Sequence, residues 1–136
     1  MPPQVLATQF VLAVPSLAEA ESYWCGVLGF ARRDSPPGWL FLDLDGAGVM
    51  LGECPDDPAP AVLGSHSYFG YFHLGDLDAY AAAIAARGAL VLAGPADKPW
   101  GQREMAVATP AGHRMMFAQR LGQDAGSDLA NHEISS

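Results

Sequence analysis

Short runs of alternating apolar and polar residues recur along the chain, and two stretches break that alternation with helical spacing. Val5 to Val14, rich in β-branched and apolar residues, predicts a first strand that Pro15 ends. Alternation puts Phe10, Leu12 and Val14 on one face, and Ala7, Gln9, Val11 and Ala13 on the other. Ser16 and Glu19 have the spacing of a capping box, in which Ser16 accepts from a free N–H and Glu19 reaches back. Leu17, Tyr23 or Trp24, Val27 and Leu28 follow at helical intervals until Gly29 stops the helix. Three strands come next: Phe30 to Arg33, Trp39 to Leu44, and Gly48 to Glu53, with Asp45-Gly46 as the hairpin turn between the last two.

A Pro-rich linker, Pro55 to Gly64, separates this half from a second that repeats its pattern. His66 to Gly75 predicts a strand. Asp76 caps a helix striped by Leu77, Tyr80, Ala81 and Ile84 and ended by Gly88. Ala89 to Ala93 is a short strand and Gly94 to Gly101 a loop. Arg103 to Ala108 and His113 to Ala118 form a hairpin across Thr109-Pro110-Ala111-Gly112. The two N-caps, Ser16 and Asp76, lie 60 positions apart, as do Gln9 and Phe69; Leu51 and Met116 lie 65 apart. The reading is one α+β domain over residues 1–122, built from two tandem βαβββ modules, about 5–54 and 65–121. Side by side, their curved mixed sheets form a U around a cleft, with the helices outside. The polar tail, 123–136, is expected to fray.

Two motifs carry a family resemblance. Val14-Pro15-Ser16-Leu17 followed by Tyr23-Trp24 and Leu28-Gly29-Phe30 resembles the opening of the vicinal oxygen chelate superfamily, which includes glyoxalase I, bleomycin-resistance proteins and extradiol dioxygenases. Trp100-Gly101-Gln102-Arg103-Glu104 with Thr109-Pro110-Ala111-Gly112 resembles the ending common in its bleomycin-resistance branch. The resemblance implies a homodimer with a ligand cleft inside each U-shaped sheet, and leaves the reaction open. In metal-dependent members, the middles of both first strands and both closing strands supply His, Glu or Gln ligands. Carried over, those positions are Gln9, Leu51, Phe69 and Met116, of which Gln9 alone could ligate. No metal or other cofactor is therefore expected. The alternative is a rearranged site for one divalent metal such as Fe, Ni, Zn or Mn at Gln9, Glu53 and His73, serving a lyase, isomerase or dioxygenase. His66 and His113 are scattered and have no ligand spacing.

The remaining cleft-facing positions are mostly apolar: Leu51, Phe69, Tyr71 and Met116, with Gln9, Glu53, His73 and Arg114 as polar company. Trp39 and Trp100 add aromatic walls, and Arg103 or Glu104, adjacent on one strand, sends one side chain inward. An apolar pocket with a few convergent polar groups is the usual construction of a small-molecule site. Composition sharpens this reading. Half of the 136 residues are hydrophobic and the net charge is −8, a charge that argues against nucleic acid as a partner and favours a cationic ligand, while the aromatic cleft positions favour an aromatic one. Cys25 and Cys54 are too few for a disulfide framework and fit reduced thiols in the cytoplasm. The N-terminus lacks a signal-peptide pattern, and no apolar run reaches the roughly 18 residues of a membrane helix. The expectation is a metal-free, dimeric binding protein that sequesters a small molecule, as in antibiotic resistance.

Overall fold

The computed structural model describes residues 3–4, 6–63 and 67–122. The expected strand start at His66 and the tail at 123–136 lie outside these residues. The first half runs β1 (Gln9–Val14), α1 (Leu17–Gly26), β2 (Ala31–Asp34), β3 (Trp39–Leu44) and β4 (Ala47–Glu53). After a 3₁₀ turn at Pro60–Leu63, the second half runs β5 (Tyr68–His73), α2 (Leu77–Ala86), β6 (Leu90–Asp97), β7 (Gln102–Ala108) and β8 (Arg114–Arg120). Each half forms its own four-stranded mixed sheet, ordered β1-β4-β3-β2 and β5-β8-β7-β6, with the first pair parallel and the others antiparallel. The two tandem βαβββ modules of an α+β fold are thus present.

Local chemistry explains the punctuation. Asp45 and Gly46 both have positive φ, 47° and 92°, the pattern of a tight hairpin turn whose twist matches the strands. At the other hairpin, Gly112 N donates to Thr109 O at 2.9 Å, closing the expected Thr-Pro-Ala-Gly turn. Ser16 Oγ accepts from Glu19 N at 3.2 Å, and Asp76 Oδ1 from Ala79 N at 3.1 Å. The helix residues Leu17 and Leu77 find matching partners on the closing strands. Leu17 N donates to Glu53 Oε2 at 3.0 Å, and Leu77 N to Gln119 Oε1 at 2.8 Å. Each closing strand therefore clamps the helix of its own half, satisfying an N–H that the helix cannot pair itself.

Two predicted boundaries move substantially: β1 begins at Gln9 rather than at Val5, which lies outside the described residues, and the end of β6 shifts. β6 extends to Asp97 through what Gly94-Pro95 marks as a loop, because strand pairing with β7 resumes after irregularities at Val91/Ala93 and Ala93/Ala96.

The two halves share a single core. It gathers Val14, Trp24, Leu28, Leu40, Leu42, Val49 and Leu51 from the first half with Phe72, Leu77, Ile84, Met105, Val107, Met115 and Phe117 from the second. Each sheet therefore turns one face toward this core and the helices, and leaves the other face open. Tyr23 on α1 ties the halves together: its hydroxyl donates to Ala108 O at 2.7 Å and accepts from Leu90 N at 2.8 Å. Tyr80 on α2 returns the tie to Leu28 O at 2.7 Å. Removing only the Tyr23 hydroxyl, in Tyr23→Phe, strands two backbone groups in a partly buried seam and is expected to cost about 1–3 kcal/mol in urea denaturation. A change below measurement error would mean that water replaces both bonds.

Candidate functional site

Strand register decides which side chains the open faces carry. In the first sheet, Gln9 pairs with Gly48, Val11 with Met50, and Ala13 with Gly52; Met50 pairs across β3 with Phe41, and Gly52 with Trp39. Paired residues share a face, so this surface presents Gln9, Val11, Trp39, Phe41 and Met50. Trp39 lies directly over Gly52, where a Cβ would stand 3.2 Å from the indole.

Two expected site residues of this half are elsewhere. Leu51 pairs with Leu12 and Leu40 on the opposite face and is fully buried in the core, so Met50 takes the mid-strand position on the open face. The β4 segment Val49-Met50-Leu51 is apolar on both faces, so alternation could not fix its register. Glu53 points to the helix side, where its carboxylate holds Leu17 N.

In the second sheet the open face carries Tyr71 and His73 from β5, Glu104 and Ala106 from β7, and Arg114, Met116 and Ala118 from β8. Phe69 stands at the seam between the two halves, where it lines a groove. The β5–β8 register shifts between Tyr68 and Gly70, and Phe69 at that irregularity packs among Phe10, Trp24 and Phe72 with ring centroids 5.3 to 6.1 Å away. The extra residue of a bulge need not follow the strand's parity. Arg103 also faces away. It pairs with Asp78 of α2 at 2.9 Å and Asp97 of β6 at 2.8 Å, fastening the helix side of the sheet. Of the adjacent charged pair, it is Glu104 that turns inward.

Glu104 is the centre of this face and is only 6% exposed. Its Oε2 accepts from Tyr71 OH at 2.6 Å and from Trp100 Nε1 at 2.7 Å. One carboxylate oxygen thus fixes two aromatic rings that are themselves 40% and 63% exposed. Burial, reinforced by the Glu104 carboxylate, pushes the Tyr71 phenol well above its ordinary pKa, so it remains a donor. His73 stands edge-on to Tyr71, centroids 5.1 Å apart. Two residues from Glu104 on the same strand, Gln102 Oε1 is buried with no hydrogen-bond partner among the described residues. A hollow of about 150 Å³ opens here, lined by Tyr68, Ala96, Lys98, Glu104, Ala106 and Met116 among others, every lining residue from the second half. Register against Met116, through Ala106, was the signal that could have placed Glu104 from sequence.

The seam between the halves holds two wider grooves. One, about 350 Å³, brings Val11 and Ala13 together with Phe69, His113 and Arg114; the other, about 340 Å³, joins Phe10 and Asp45 to Tyr71 and His73. His113 is 2% exposed, and its Nδ1 lies 3.4 Å from Thr109 Oγ1. Burial lowers its pKa, with the nearby Ala13 backbone opposing more weakly. An unfolded histidine takes its proton at about pH 6.5, the folded one only at lower pH. Acid below about pH 6.5 therefore loads the unfolded chain preferentially, and the contribution of His113 to stability is complete above that point and lost as pH falls through it. Urea midpoints measured between about pH 7.5 and 5.5 should fall on acidification, and His113→Asn should flatten the slope. An unchanged slope in the variant would assign the dependence to other groups.

The positions at which metal-dependent members hold their ion do not fit one here. With register corrected they carry Gln9, Met50 and Met116, while Phe69 packs at the seam against Phe10 and Trp24; thioethers and rings offer a hard cation no replacement for its water. Of the alternative set, Glu53 is bonded to the α1 terminus on the helix side, away from the open faces that carry Gln9 and His73. Among the described residues, no three His, Cys, Asp or Glu side chains converge to hold a metal ion.

Comparison with solved structures gives the same architecture. TioX from Micromonospora sp. ML1 is 25% identical, with a TM-score of 0.70 over 85% of this chain and 98% of that one. TnmS3, an antibiotic binding protein from Streptomyces sp. CB03234, is 24% identical, with a TM-score of 0.67 over 88% of this chain and 99% of its own. A glyoxalase/bleomycin resistance protein/dioxygenase from Alicyclobacillus acidocaldarius reaches a TM-score of 0.75 at 14% identity, covering 85% and 92% of the two chains, a likeness of fold alone. No curated protein matches the chain. The family model that matches residues 7–117 describes that same grouping, and the chain belongs to the glyoxalase/bleomycin resistance protein/dioxygenase superfamily.

Proposed function

We propose that this protein is a metal-free small-molecule-binding protein that sequesters an aromatic or cationic ligand in a cleft completed by a second copy of the chain. The observation that carries the reading is the open face of the second sheet, where exposed Tyr71 and Trp100 are held around buried Glu104 and beside Met116. Rigid rings, an adaptable thioether and one buried polar group are the ingredients of a binding site for a flat molecule. The likeness to TioX and to the antibiotic-binding TnmS3 supports it. So does the mismatch between the side chains at the family's metal positions and any divalent ion. The hollow around Glu104 is walled by one half only, and the open face of the first sheet, with Trp39, Phe41 and Val11, has the apolar character to close it from a partner. Cys25 and Cys54 are free thiols, in keeping with a cytoplasmic location.

Isothermal titration of the protein against bleomycin and flat quinone-type natural products tests binding, and sedimentation velocity tests the dimer. Saturable binding without added metal is the expected result. Failure of every compound to bind, combined with turnover on adding Ni²⁺, Zn²⁺ or Fe²⁺, would replace the reading with a metal-dependent enzyme.

A further inference from the structure

Resting on the small-molecule reading above, we infer that Glu104 sets the ligand class: the site takes flat organic cations in preference to neutral or anionic molecules of the same shape. The geometry is a carboxylate 6% exposed whose Oε2 receives both Tyr71 OH and Trp100 Nε1. Three consequences follow from elementary electrostatics. The Glu104 carboxylate lines the hollow of the second half and is largely enclosed, so water screens it poorly and a cation arriving there is attracted more strongly than at the surface. Phenol and indole each donate a hydrogen bond to an anion, which polarises the rings toward higher electron density and strengthens their faces as cation–π partners. Both rings are also held in place before any ligand arrives, so little rotamer freedom is lost on stacking.

Lys98 lines the same hollow and is the group that would favour an anion instead. It is only partly buried, so water competes for its ammonium, whereas Glu104 is enclosed. The overall charge of −8 attracts any cation from a distance, but that attraction is screened by salt and does not depend on one residue.

The test uses three flat tricyclic probes: N-methylacridinium, acridine in mildly alkaline buffer where it is uncharged, and anthraquinone sulfonate, each titrated by fluorescence at moderate salt. The wild-type protein is expected to bind N-methylacridinium at least about tenfold more tightly than acridine, with the sulfonate weakest. Glu104→Gln keeps the shape and an acceptor oxygen but removes the charge, and should cut that preference to about threefold or less. Trp100→Ala changes an exposed loop residue and guards against misfolding of the first variant; it should weaken the cation about tenfold. Equal binding of the acridine pair, a preference that survives Glu104→Gln, or tightest binding of the sulfonate would overturn the inference while leaving a small-molecule site in place. If none of the three binds the wild type, both the inference and the flat-ligand reading fall.

Discussion

Replacing Trp24 by alanine is expected to lower the unfolding free energy by about 3–5 kcal/mol, a large share of what a domain this size possesses. The indole is 1% exposed on α1 and meets Phe30 edge-on at 5.0 Å within its own half. It also reaches Phe69 of the second half at 6.0 Å. Truncation therefore opens a cavity at the junction rather than inside one module, and both halves should lose stability together. Urea denaturation followed by far-ultraviolet circular dichroism should show one transition, shifted to lower denaturant. Two separated transitions, with the second half unaffected, would mean that the shared core does not couple the modules.

Gly94→Ala is the second large effect, expected at about 2–5 kcal/mol. Gly94 has φ 79°, and a Cβ there would run into the Glu104 carbonyl oxygen while also meeting Ala96 N at 3.1 Å and Met105 Cα at 3.2 Å. None of those atoms belongs to a side chain that could swing aside, so β6 must move off β7. Because Gly94 borders the hollow around Glu104, ligand affinity should fall with stability. Gly122 provides the control: its φ is 80°, but among the described residues nothing lies within 4 Å of a Cβ there, so Gly122→Ala carries the backbone penalty without the collision. Equal losses in the two variants would show that conformation alone, not the close approach of β6 to β7, makes Gly94 necessary.

How far these features can be read from the sequence depends on whether a local rule governs them. Ser16 and Asp76 cap their helices as their side-chain chemistry dictates, and Trp39–Leu44 is bounded by the loop and turn residues that flank it. The 60-residue offset between the caps is enough to reveal the duplication. What escapes is set by partners distant in the chain. Met50 and Leu51 are both apolar on a central strand, so only pairing with Leu12 and Leu40 decides which one is interior. Phe69 sits at a register irregularity between Tyr68 and Gly70 that no neighbouring residue announces. Arg103 and Glu104 offer charges to both faces, and Asp78 and Asp97 on the helix side claim the arginine. Glu53 resembles a possible ligand until the unpaired N–H of Leu17 is seen to need it.

That last contact and its counterpart, Gln119 to Leu77, bear on how such a chain can be rearranged. Each helix is bolted at its leading end to the strand that finishes its own half, while the ties between halves run through Tyr23, Tyr80 and Arg87 to main-chain atoms. A backbone atom is supplied equally well by any molecule of the same sequence. Trading whole halves between two molecules would therefore leave both bolts fastened and ask only that the connecting segment reach.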